Sequence, residues 1–267
     1  MATFASVNGG SIMIVRFGRL AVSTALVAAM LGACSPADTS KMTVKEQKAA
    51  ERAEDNKNAE WLRGQFEKLE HSGTAMGDLF KAIREGQPEL HAEFMKVVTA
   101  EINNGKTPFE AGAAARPIYM ARFMELLKTT GDEDINLMLA QSIVQMEQSL
   151  TVDPLLCVKL TRGEADPRMS SFPAEMRDSE LRLMARVLRA GKLDAPVASA
   201  EEVQTWAGGF VGAHPELTEG LQLFEMPAPN PEQATAICRA NIAIMEGLTK
   251  EPPAERARLF RGTLSQS

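Results

Sequence analysis

Aromatic side chains are scarce in these 267 residues, with two Trp, one Tyr and eleven Phe. Proteins that grip sugars commonly stack them on Trp and Tyr, so this scarcity argues against a carbohydrate-binding surface. Histidine is scarcer than a metal site needs. His71, His91 and His214 are far apart and follow no metal-ligand spacing. No Gly-x-Ser-x-Gly elbow, no His-Glu-x-x-His and no Gly-x-x-x-x-Gly-Lys occurs beyond residue 33, so the common hydrolase, metalloprotease and nucleotide-binding signatures are lacking. Glutamates are plentiful, but none stands out as catalytic. There is no sustained period-two run of β-branched residues and no repeat of fixed length. No catalytic residue, metal ligand or cofactor is assigned from the sequence.

What is present begins at the N-terminus. Arg16 and Arg19 precede "LAVSTALVAAMLGA" (Leu20 to Ala33). A basic region followed by about a dozen apolar or small residues reads as a secretory signal. The run falls short of the roughly 20 apolar residues that a spanning helix needs. The first dozen residues carry no charge and fit no basic region, so Met13 is a second candidate start. Directly after the apolar run stands "LGAC" (Leu31, Gly32, Ala33, Cys34). This resembles the lipobox of bacterial lipoproteins. The resemblance implies cleavage before Cys34, acylation of its sulfur and acylation of the new amine. Palmitate-type chains on that residue give stable anchoring, because each buried methylene adds roughly 0.8 kcal/mol. Ser35 in place of an aspartate favours the outer membrane, facing the periplasm, with the inner membrane as the alternative. The organisation expected is a signal peptide at 1–33, a tether with a solvated helix or stalk at 34–57, and a helical domain at 58–267.

Cleavage after residue 33 leaves 27 Lys and Arg against 35 Asp and Glu, a net charge of −8. That excess argues against nucleic acid and suits a basic partner. Twelve methionines remain beyond residue 33. Methionine fills irregular helical cores and also adaptable grooves. Cys157 and Cys238 are the other two cysteines. In an oxidising compartment they are expected to pair in a disulfide, with two separate buried thiols as the alternative.

The chain reads as all-α, a compact body of about eight to ten short helices. "TVKE" (Thr43 to Glu46) is a capping box, and a buried face begins only at Trp61, Leu62, Phe66 and Leu69. Pro88, Pro108, Pro117, Pro154, Pro173, Pro215, Pro231 and Pro253 each read as a helix start, where the missing N–H leaves no gap. Thr107, Asp153 and Asn230 stand before three of them as N-caps, and "SAEE" (Ser199 to Glu202) is another capping box. Leu90, Phe94, Val97, Val98 and Ile102 form one apolar face, and Met76, Leu79, Phe80 and Ile83 a shorter one. Residues 135–150 are apolar on nearly all sides, which predicts a central helix. Ile237, Cys238, Ile242, Met245 and Leu248 predict a second buried helix. Residues 162–172 and 225–230 read as the two longer connectors.

Three side chains are candidates to face a ligand. In "WAGGFVGAHPEL" (Trp206 to Leu217), glycines lie between Trp206 and His214. The stretch reads either as a ligand-facing loop or as a helix ending on a glycine cap at Gly212. Asn241 lies near an apolar stripe, where a buried amide either bonds the backbone or lines a pocket. "GDED" (Gly131 to Asp134) places three acids at a helix start, where they favour the helix dipole. The function expected is a membrane-anchored interaction module for another envelope protein, one form being an inhibitor or immunity protein. The alternatives are a carrier of small apolar ligands or lipids, and a helical cell-wall hydrolase.

Overall fold

The computed structural model describes residues 44–164 and 166–266. Cys34, the apolar segment before it and Thr43 of the first capping box lie outside them.

Proline and cap chemistry punctuate the chain much as the sequence predicts. Helices α3 (Pro88–Asn103), α4 (Pro108–Leu127), α6 (Pro154–Thr161), α10 (Pro231–Thr249) and α11 (Pro253–Ser265) each open on a proline. Thr107 and Asn230 close capping boxes with Glu110 and Gln233, and Asp153 accepts from the Leu155 N–H. Ser199 and Glu202 cap α8 (Ala200–Ala213) in the same reciprocal way. Two prolines depart from the expectation. Pro173 is the residue before α7 (Ala174–Ala190) rather than its first. Pro117 lies inside α4, which continues through it. Its ring and Ala113 are both exposed, so the carbonyl it leaves without a partner faces water. Pro215 opens only a 3₁₀ turn, Pro215–Leu217, ahead of the short α9 (Thr218–Gln222).

The remaining helices are α1 (Val44–Glu70), α2 (Ala75–Gly86) and α5 (Asp132–Val152). There are eleven α-helices and no strand among the described residues. Helix α1 runs through residue 58 unbroken, and Leu62 is the first buried side chain among those described. Trp61, expected on the buried face, is 38% exposed. Phe66 instead joins Phe80 and Phe94, with ring centroids 4.7 and 5.7 Å away, and so ties α1 to α2 and α3.

Helix α2 lies along α7 so closely that a Cβ at Gly86 would stand 2.5 Å from the Leu188 carbonyl oxygen. Helices α6, α7, α10 and α11 all pack on α5. Ile135, Met138, Leu139 and Met146 of α5 are buried, as are Ile237, Cys238, Ile242, Met245 and Leu248 of α10. However, α5 is not apolar-buried all round. Leu137 is 39% and Val144 50% exposed. One continuous core runs from Leu62 to Leu264, so residues 162–172 do not divide two bodies. That connector is held by Arg168 and Lys159, which both bond Asp166. Arg162 donates to the carbonyls of Phe224 and Met226 and fixes the second connector. A third, residues 191–199, also runs without helix. It leaves α7 through Gly191, whose φ of 69° suits glycine.

Candidate functional site

Cys157 on α6 and Cys238 on α10 are both fully buried and face each other at disulfide distance, with Cα atoms 6.1 Å apart. They hold α6 against α10 and take no part in any pocket lining described below.

Trp206 and His214 belong to one ladder. Helix α8 continues through Gly208, Gly209 and Gly212 to Ala213, and His214 is its C-cap, so Gly212 is neither a cap nor part of a loop. None of these glycines is needed for a close approach: a Cβ at any of the three meets nothing within 4 Å. Residues 206, 210 and 214 are four apart and share a face. The Trp206 and Phe210 rings stack at 5.6 Å, and His214 follows 4.5 Å from Phe210. The Trp206 indole N–H donates to Glu251 at 3.0 Å, and His214 Nδ1 lies 3.0 Å from a Glu216 carboxylate oxygen. The Trp206 N–H and His214 Nδ1 are thus both engaged within the chain, and Phe210 covers Gly247 of α10.

Asn241 lies elsewhere, in the core. Its amide donates to the Ile237 carbonyl one turn back, at 2.9 Å. It also lines a cavity of about 30 Å³ together with Met138, Ser142, Gln145, Met146 and Phe260. Neither Trp206 nor His214 reaches that cavity, so the three candidates do not form one site.

Sequence reasoning missed a second buried group. Glu180 on α7 is 7% exposed and receives a hydrogen bond from Gln145 Nε2 of α5 at 3.2 Å. It lines a smaller cavity of about 10 Å³, which shares Met138, Ser142 and Gln145 with the first. Burial pushes its carboxyl up to about 8; the Gln145 hydrogen bond and the Arg116 charge on α4 pull the other way and lose. A carboxyl raised that far favours its protonated form at neutral pH. A protonated carboxyl is what a glycosidase general acid needs. Glycosidic chemistry also needs a second carboxylate and a cleft, whereas this cavity has no other carboxylate in its lining and room for about one water. The signal in sequence was slight: Glu180 stands one residue before Leu181 in a helix otherwise rich in charge.

The acids of "GDED" open α5 as expected, and each has a partner. Asp132 accepts from Arg261 at 2.8 Å, and Arg186 bridges Glu133 and Asp134 at 3.0 and 2.8 Å. His91 is half-buried, and its imidazole is pushed down by burial. Set against known proteins, the chain matches no family model, no curated protein and no solved structure.

Proposed function

We propose that this chain is an envelope lipoprotein, anchored through Cys34, whose helical body binds another envelope protein of basic character. The membrane address rests on the sequence, on Leu31 to Cys34 after the apolar run. The binding role rests on one structural observation, the outer face of α5. Glu133, Leu137, Ala140, Val144, Glu147 and Thr151 follow at alternating steps of four and three, and all six are exposed. Single exposed apolar residues need no explanation, but a row of them along one helix face does. Here the apolar centre is flanked by a glutamate at each end. That pattern, with the net −8 of the cleaved chain, is complementary to an apolar anchor carried on a cationic surface. An inhibitor of a basic, wall-attacking protein is one concrete form.

The interior favours this reading over a carrier. Ligand cavities run to roughly 300–1,000 Å³, whereas those beside Asn241 and Glu180 hold about 30 and 10 Å³. Two measurements test the proposal. Labelling with a palmitate analogue is expected to mark the wild-type chain and not Cys34→Ala; an unlabelled wild type refutes the anchor. Crosslinking in envelopes followed by capture is expected to recover a basic partner with wild type. Leu137→Glu with Val144→Glu is expected to lower that recovery at least tenfold, a loss of about 1.4 kcal/mol or more, with an unchanged melting midpoint. Equal recovery by both forms rules out this face.

A further inference from the structure

The pair between α5 and α7 lacks one hydrogen. Gln145 Nε2 donates to Glu180 Oε2, and two oxygens are left over, Gln145 Oε1 and Glu180 Oε1. Both are buried, and no protein donor reaches either. Buried acceptors in native proteins are almost always satisfied. A carboxylate has no hydrogen to give, and the Gln145 amide nitrogen bonds the other carboxyl oxygen, Oε2, and cannot serve its own Oε1. A carboxylic acid, by contrast, carries the missing donor on the same residue. The acid and the amide then match in both directions, the amide N–H to one carboxyl oxygen and the acid O–H to the amide oxygen.

We propose that Glu180 and Gln145 form a proton-locked clasp that closes the α5–α7 seam while Glu180 is protonated and releases it when that proton is lost to solvent. The neighbouring helices leave this proton in control. On α4, Arg116 is the charge that acts on Glu180, and the buried Tyr119 phenol, itself pushed up by burial, lies close enough to feel it. On α5 the facing group is the uncharged Gln145. Between α2 and α7, Asp78 is paired with Arg182 at 2.6 Å. Ionisation places a carboxylate oxygen and an amide oxygen in one buried pocket with one N–H between them. The cavities that share Met138, Ser142 and Gln145 then give water an inward path.

The sign follows from which state keeps the proton. The unfolded chain loses it near 4.5 and the folded chain near 8, so stability falls as pH rises between them and levels off above. Glu180→Gln tests this cleanly, because two primary amides reproduce both hydrogen bonds and neither titrates. Melting midpoints of the full chain and of E180Q are expected to agree near pH 4, below the unfolded value. They are expected to part as pH rises, with E180Q higher by roughly 5–15 °C near pH 9. Protection of α5 and α7 against hydrogen exchange, with the intrinsic pH dependence of exchange divided out, should fall over the same range in the wild type alone. Parallel midpoints at every pH overturn the clasp.

Infrared difference spectra of the unmutated protein give an answer that needs no variant. A protonated-carboxyl carbonyl band present at neutral pH should vanish as pH passes about 8. If that band is missing at neutral pH, Glu180 is ionised and a bridging water supplies the donors instead, which refutes the proposal.

Discussion

At the scale of single residues, Arg261 joins three separate segments to its own helix. It is 1% exposed, on the helix that ends the chain. Its guanidinium donates to the Pro196 carbonyl at 2.7 Å, the Thr130 carbonyl at 2.9 Å and Asp132 at 2.8 Å. One planar fork thus joins α11 to the 191–199 connector, the α4–α5 turn and the first turn of α5. Arg261→Met keeps much of the volume and removes every donor. It leaves the Thr130 carbonyl buried without a partner, which costs about 1–3 kcal/mol, and unpairs the half-exposed Asp132 carboxylate, which water solvates at a cost of about 0–1 kcal/mol. A loss of about 1–4 kcal/mol is expected in urea unfolding. Arg261→Lys should recover a minor part, since one ammonium cannot face three acceptors in the guanidinium plane. A change under 1 kcal/mol for Met would show that the fork only occupies space. None of this was legible beforehand. An arginine in "RARLFRG" is the most ordinary solvent-facing residue in a helical pattern, and only the folded chain places a carbonyl from residue 130 opposite it. Glu180 was hidden for the same reason.

At the scale of the element, glycine separates two kinds of helix. Gly208, Gly209 and Gly212 lie in α8 with open space where a Cβ would go. Each replacement by alanine is expected to stabilise the protein by about 0.5–1 kcal/mol, through lower chain entropy and better helix propensity. Gly86 near the end of α2 is the opposite case. A Cβ there meets the Leu188 carbonyl oxygen at 2.5 Å and the Arg189 Cα at 2.9 Å, both backbone, so α2 and α7 must part. Gly86→Ala is expected to destabilise by about 1–3 kcal/mol. Thermal unfolding of the four single variants checks both signs together. The contrast also marks what could be read in advance. Caps and helix-starting prolines are local chemistry, so Thr107, Asp153, Ser199 and Asn230 were found by inspection. The stripes of α2, α3 and α10 were found by periodicity. Which helix meets which is not local. That is why α5 reads as buried all round, and why "GGFVG" reads as a loop or as a helix capped at Gly212, when it is the last stretch of α8, which runs on to Ala213 and is capped by His214. A proline inside α4 misled in the same way, since only its exposure makes it tolerable.

At the scale of the whole molecule, the Cys157–Cys238 pair decides how much of the chain comes apart at once. The two residues are 81 apart in sequence, and the segment between them contains α7, α8 and α9. Closing a loop of that size in the unfolded chain removes entropy equivalent to about 4–5 kcal/mol. Both cysteines are completely buried between α6 and α10, so a reductant reaches them only when the body opens. Two results follow for protein prepared under oxidising conditions. Added reductant should leave the native fold intact at low temperature yet lower the melting midpoint by roughly 10–15 °C, given about 2–4 °C for each kcal/mol in a body of this size. Thiol titration in denaturant should find no free cysteine before reduction and two afterwards in the chain beyond residue 34. Cys157→Ala with Cys238→Ala should melt with the reduced form and ignore reductant. A midpoint that reductant does not move, with two thiols titrating from the outset, would mean that α6 and α10 are joined by packing alone. In that event the cohesion of the body would rest on the continuous core and on clamps such as Arg261, and the clasp at Glu180 would be free to open a larger part of the fold.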